Sequence, residues 1–270
     1  YVTINSTGPG STATGDDSIA IGESTTANGA RATALGAQAD ASDEETVAVG
    51  FNANSTGFHS TAVGALADAA GLGSTAIGWD SNATQARSTA VGNSANATGT
   101  DSTAVGRSAN ASGAESTALG QGSAATMTNA VALGQGAQAV HTNSVALGAD
   151  TSTTAANQVN VGGRTVSGVA NGVAANDAVN LSQLNAVTNN FGNALSALES
   201  DFDLLRSTVS NNRKEARRGI AAAVAMSEAP MPSRDGGISY SLHGATYRGE
   251  FAVGGSLKYR VNQSAAFDIG

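Results

Sequence analysis

Ser18-Ile19-Ala20-Ile21-Gly22 is followed, fourteen residues on, by Ala32-Thr33-Ala34-Leu35-Gly36. The phrase returns down to Gln158-Val159-Asn160-Val161-Gly162. Its glycines (Gly22, Gly36, Gly50, Gly64, Gly78, Gly92, Gly106, Gly120, Gly134, Gly148 and Gly162) keep the step without a slip. A fixed period of this kind decides the fold class before any local reading. The residue before each glycine is Ile, Leu or Val; two before, it is Ala except at Asn160; three before, it is Thr, Val or Ile. Period-two alternation with β-branched residues reads as a short strand. A polar segment such as Asn93-Ser94-Ala95-Asn96-Ala97 then leaves room for a second strand and a turn. A second set of glycines (Gly29, Gly57, Gly71, Gly99 and Gly113) at fixed offset suggests backbone positions with positive φ.

Fourteen residues are too few for a βαβ crossover, but they suffice for one coil of a parallel β-solenoid. Such a coil buries its apolar face only by stacking on its neighbours. A strand with Ile or Val on one side and Ala on the other suits a sheet packed on both faces. The expected core of the roll is therefore Ile21, Val63, Ile77, Val91, Val105 and Leu119, and the opposite face approaches a neighbouring chain. The reading implies an oligomer without giving its number.

Composition supports a repeat protein over a globular one. Aromatic residues are 4 % of the 270, and there are 34 glycines. The chain has no cysteine, which removes disulfides, thiolate metal sites and a cysteine nucleophile. The formal net charge is −8. Up to Asn157 the basic residues are Arg31, Arg87 and Arg107 alone, which argues against nucleic acid as a partner. The chain opens on Tyr1-Val2-Thr3-Ile4 without Met or a signal segment, and reads as an excised piece. No apolar run reaches the 18 residues of a membrane helix, which leaves a β-barrel open.

The repeats lapse at Asp43-Glu44-Glu45, and Met127 and His141 stand at the second glycine position. Phe51, Phe58 and Trp79 are the large aromatics of this region after Tyr1. They read as solvent-facing turn residues or as contact points. From Asn157 the texture changes, and Asp177-Ala178-Val179-Asn180-Leu181-Ser182-Gln183-Leu184 starts a helix with Asn176 or Asp177 as N-cap. Leu184, Val187, Phe191, Leu195, Leu198, Phe202, Leu205 and Val209 then follow steps of three and four, a coiled-coil seam with one stutter. Asn212 continues it as a polar layer. A basic run, Arg213 to Arg218, precedes the small-residue helix Gly219–Met226, whose side chains suit a narrow space. Beyond Pro230 and Pro232 the period becomes two. Ile238, Tyr240 and Leu242 alternate with polar residues, as do Phe251, Val253, Leu257, Tyr259 and Val261 beyond a turn near Gly249-Glu250. This apolar-out, polar-in pattern fits transmembrane β-strands. A third strand starts at Ala265.

This order of parts resembles the trimeric autotransporter adhesins, the YadA-like family of Gram-negative surface proteins. The repeats are similar to its head. The neck resemblance rests on Asn160, Gly162, Arg164, Asp177, Asn180 and Gln183. The resemblance implies a mainly β chain with a helical stalk: a left-handed parallel β-roll head (1–156), a neck (157–180), a trimeric coiled coil (181–216), and an incomplete barrel anchor with its pore helix (217–270). Three chains would share one twelve-stranded outer-membrane barrel, four strands each; this sequence supplies two and the beginning of a third. It further implies a homotrimer, export through that barrel, and display on the cell surface. Partners would be host extracellular-matrix protein, cell-surface ligands, surfaces or the protein itself.

Two other functions fit the sequence less well. Thr61, Thr75, Thr89, Thr103 and Thr117 hold one position in five successive coils, as an ice- or surface-binding solenoid would need, but they share a face with the Ile/Val/Leu column, where packing explains them. Catalysis needs paired carboxylates, or a nucleophile beside its base. His59, His141 and His243 fall in different modules, and Asp43-Glu44-Glu45 reads as a solvated turn. No catalytic, cofactor or metal residue is nominated. The sequons at Asn82, Asn96 and Asn110 share one repeat position, a spacing the solenoid itself imposes.

Overall fold

The computed structural model describes residues 8–226 and 228–269; Tyr1-Val2-Thr3-Ile4 lies outside them. The chain divides into two units, residues 1–165 and 166–270.

The first unit is a parallel β-solenoid. Each fourteen-residue coil contributes one three-residue strand, such as Thr75–Ile77, and one two-residue strand, such as Asn82–Ala83. The three-residue strands and the closing Val159–Asn160 form an 11-stranded parallel sheet among the described residues, and the two-residue strands a 10-stranded one. Register is strict: Thr75 lies between Thr61 and Thr89, Ala76 between Ala62 and Ala90, Ile77 between Val63 and Val91. Equivalent side chains therefore stack in columns along the roll.

The inside of the roll differs from the sequence expectation. Its core is made of methyl and hydroxymethyl groups: Ala62, Ala76, Ala90 and Ala104 on one sheet, Ala83, Ala97 and Ala111 on the other, with Ser88, Ser102 and Ser116, are fully buried. Ile21, Val63, Ile77, Val91, Val105 and Leu119 do not fill it. They lie on the outer face with the threonines, Ile77 40 % and Leu119 48 % exposed. The reason is width. Strands of two and three residues joined by tight corners leave an interior that takes Ala, Ser and, at places such as Thr25 and Thr46, Thr, but no larger side chain. Several buried serine hydroxyls return to the backbone: Ser102 Oγ donates to Gly99 O (2.6 Å), and Ser116 Oγ to Gly113 O (2.7 Å); those of Ser55 and Ser60 bond each other (2.7 Å).

The corners also carry a regularity that the residue types conceal. From Asp17 to Asn157, every seventh residue is left-handed, whether Arg31, Gln38, Glu45, Leu66 or Asn129. Each coil is two seven-residue halves, each with a turn closed by a bond such as Ala39 N–H to Gly36 O (3.2 Å). The main glycine ladder is needed for conformation and space together. Gly78 has φ +135°, and a Cβ there would collide with the Gly92 carbonyl one coil on. The second set, expected at positive φ, is not left-handed. Gly71 is required because a Cβ would strike the Gln85 carbonyl.

In the second unit, one helix runs unbroken over Leu181–Ala225. Its N-cap is Asn180, not Asn176 or Asp177. The coiled-coil seam and the small-residue segment are thus one element. Three antiparallel strands follow, Ile238–Tyr247, Glu250–Asn262 and Ala265–Ile269. The first two turn through Arg248 (φ 48°) and Gly249 (φ 88°), the two-residue hairpin geometry whose twist matches the strands. Ala221 and Ala225 are buried, and a Cβ on Gly254 would strike the Ala225 carbonyl, so the helix lies against the small-residue face of the hairpin. Tyr240, Leu242, Phe251 and Val253 face outward. No helix among the described residues is long and apolar enough to cross a membrane.

Candidate adhesive surface

The roll presents three kinds of surface. The outer face of the three-residue strands is an apolar and threonine stripe. Ile19, Leu35, Ile77, Leu119 and Leu147 are exposed on it, and Thr61, Thr75, Thr89, Thr103 and Thr117 are half-buried between the coils. The two corners flank the sheets.

One corner follows the glycine ladder. Phe51 and Trp79 occupy the same column two coils apart, with Ala65 between them, and are 54 % and 52 % exposed. Leu66 is exposed on the intervening coil. Phe58 is on the opposite corner, stacked on His59 with ring centroids 3.8 Å apart. Its column continues in the exposed Leu72. The structure therefore separates the three sequence candidates into a pair and a single ring.

The second corner also carries a polar ladder that side-chain identities alone did not reveal. Arg31 Nε donates to Glu45 (2.9 Å), and Arg31 also bonds Glu44. Glu45 reaches His59 on the next coil (3.0 Å). Further on, Arg87 Nη2 donates to Asp101 (2.7 Å), which holds the Asp101 carboxyl below its usual range. An amide chain follows: Asn129 Nδ2 donates to Asn143 Oδ1 (3.0 Å), and Asn143 Nδ2 to Asn157 Oδ1 (3.1 Å). Apart from Glu44, each partner is fourteen residues away, so the signal was present as spacing. The Asp43-Glu44-Glu45 cluster is part of this ladder. All these pairs are exposed and individually contribute little.

At the end of the roll the neck residues close the stack. Arg164 Nη1 donates to Thr151 Oγ1 (2.8 Å) and Val161 O (3.0 Å), and Nη2 to Ala149 O (2.7 Å). One guanidinium thus satisfies acceptors that another coil would otherwise have met. Asn160 Nδ2 donates to Ser152 O (2.7 Å), and its Oδ1 accepts from Gly162 N (2.8 Å). In the second unit, Asp177 accepts from Val173 N (2.9 Å) and Ala174 N (2.8 Å), which lower its pKa. Asn180 caps the helix through a capping box with Gln183, and its amide donates to Val169 O (3.0 Å). Gln183 pairs with both backbone groups of Gly172 (2.9 and 3.0 Å). The six neck residues knit loop to coil and loop to helix. None is arranged as a reactive group.

Among the described residues, no three His, Asp or Glu are grouped to hold a metal ion. A hollow of about 510 Å³ in the second unit is lined by Leu205, Arg206, Val209, Ser210, Arg213, Lys214, Arg217 and Glu250.

With the geometry in place, the likeness to known proteins is specific. Eight matches to the YadA head domain repeat cover residues 6–95, 97–123 and 125–151. The coiled stalk of trimeric autotransporter adhesins matches residues 165–203. The chain belongs to the YadA-like trimeric autotransporter adhesins. No curated protein matches it significantly. Among solved structures, the collagen-binding domain of the Yersinia adhesin YadA is similar at 29 % identity, with a TM-score of 0.50 over 60 % of this chain and 85 % of that one. The fold and family of this adhesin are adhesive and non-enzymatic.

Proposed function

We propose that this adhesin works as a homotrimer that displays its rolls on the bacterial surface to bind extracellular matrix. The observation that carries the reading is the pair of unpartnered apolar faces. The outward Ile/Val/Leu column of the roll is exposed at Leu35, Ile77, Leu119 and Leu147 and half-buried between them, and the helical seam from Leu184 to Val209 is exposed in the single chain. Folded soluble chains do not leave surfaces of this extent open, and copies of the chain cover them most simply. In this assignment residues 1–156 are the head, 157–180 the neck, 181–216 the coiled coil and 217–270 the beginning of the anchor. The hairpin, with its apolar residues turned away from the helix, contributes to a barrel through which the passenger is exported to the surface of a Gram-negative bacterium. Collagen is the first ligand to try, because the Yersinia relative is a collagen-binding domain. The ice- or surface-binding alternative uses the threonine column, which the trimer interface covers.

The test is binding of the full chain, in mild detergent, to immobilised collagen and other matrix proteins. Saturable binding to one of them that is abolished by dissociating the oligomer supports the reading. Absence of binding to every matrix protein, with ice-growth inhibition by the single chain, overturns it.

A further inference from the structure

The Phe51–Trp79 corner has a pitch of its own. Successive coils are hydrogen-bonded strand neighbours, about 4.8 Å apart. Phe51 and Trp79 are two coils apart and thus roughly 9.6 Å apart along the roll. A polyproline-II chain rises 3.1 Å per residue with three residues per turn, so it repeats every ~9.3 Å. A chain lying along the roll axis presents one residue of every third to each ring in turn. Between the rings, Ala65 leaves a notch, with Leu66 exposed beside it.

Charge selects the ligand further. Asp80 follows Trp79 at the turn, and Asp68 lies on the outer face of the intervening coil. Asp68 accepts from the Asn54 amide (2.8 Å), and Asp80 lies 3.4 Å from the Ser94 hydroxyl. Among the described residues neither meets a cation, in contrast to Glu45 and Asp101 on the other corner. An exposed indole beside unneutralised carboxylates is a seat for a guanidinium or ammonium group. Arg107 is in the same column, two coils beyond Trp79, and repels a second cation there. It confines the basic side chain to the stretch between the rings.

We propose that this corner grips one strand of a collagen-type triple helix, running along the roll, with a basic side chain between Phe51 and Trp79. The inference rests on the matrix-binding reading and adds the place, the ligand conformation and the ligand charge.

The experiment uses the full chain in detergent and, as probes, triple-helical Gly-Pro-Hyp host peptides carrying an Arg or a Glu guest, alongside immobilised collagen. Both rings are exposed, and equal melting curves establish that each variant folds. The expected result is that Trp79→Ala and Phe51→Ala each weaken the Arg-guest peptide about tenfold or more, as for aromatic anchors elsewhere. Trp79→Phe retains most of the binding, Phe58→Ala on the far corner has no effect, and the Glu-guest peptide binds more weakly than the Arg-guest one. Collagen binding that is indifferent to Trp79→Ala and Phe51→Ala overturns this inference and leaves the matrix-binding reading standing. Equal affinity for the two guests, or a single-stranded polyproline peptide bound as tightly as the triple helix, also overturns it. Failure of wild type to bind any collagen or matrix protein overturns both.

Discussion

Substitution of Ala76 by Leu tests which side of the strand fills the roll. Ala76 is fully buried and stacked between Ala62 and Ala90, which are themselves fully buried. Overpacking a closed core typically costs 1–3 kcal/mol, because neighbours must leave their rotamers or the backbone must shift. Alanine neighbours have no rotamer to change, so the backbone must move, and the cost belongs at the upper end, about 3 kcal/mol. The companion change is Ile77→Ser. Full burial of an isoleucine is worth roughly 1.5–3 kcal/mol, and Ile77 is only partly covered within one chain, so its loss there is ~1 kcal/mol. Any larger effect must come from contacts between chains, and these depend on protein concentration. The assay is urea unfolding followed by circular dichroism over a hundredfold concentration range. The Ala76→Leu loss should be the same at every concentration, whereas the Ile77→Ser loss should grow with dilution. A tolerated Ala76→Leu, with Ile77→Ser unfolding the roll at all concentrations, would refute the alanine core.

Other outcomes follow from the same geometry. Arg164→Ala strips donors from Thr151, Val161 and Ala149 and should cost about 1–2 kcal/mol, given the exposure of the side chain, with faster hydrogen exchange confined to the last coils. Asn180→Ala removes the N-cap and should cost ~1 kcal/mol of helix stability, seen as fraying of residues 181–184 by exchange. The Asp177 pKa is depressed by the Val173 and Ala174 amides, so its contribution is fully present above the ordinary Asp range and disappears as pH falls through the lower folded value. Protection of those two amides should fall on acidification, and Asp177→Asn should abolish the pH dependence. Gly254→Val places a side chain against the Ala225 carbonyl and should displace the helix from the hairpin, read as new protease cleavage near residue 225.

The period, the parallel coils and the long helix were legible because each repeats a residue type at fixed spacing. The direction of the strand faces was not. Thr75-Ala76-Ile77 alternates either way, and the habit of placing the larger apolar residue inside ignores how little room a fourteen-residue coil encloses. The left-handed corners escaped for a different reason. Arg31, Glu45, Leu66 and Asn129 have nothing in common as side chains, and only the backbone shows their seven-residue step. The helix start was misplaced because Asp177 does accept two backbone amides, but those belong to the loop before it, and Asn180 takes the capping role. The aromatic pair was legible as exposed residues, and its separation from Phe58 required knowing which corner each turn forms.

The most direct test of the account is the solution mass of residues 1–212 by multi-angle light scattering. Three times the chain mass, held on dilution and lost with Ile77→Ser and Leu119→Ser together, is the expected result. A folded species with the mass of a single chain, its apolar faces stably exposed to water, would contradict it.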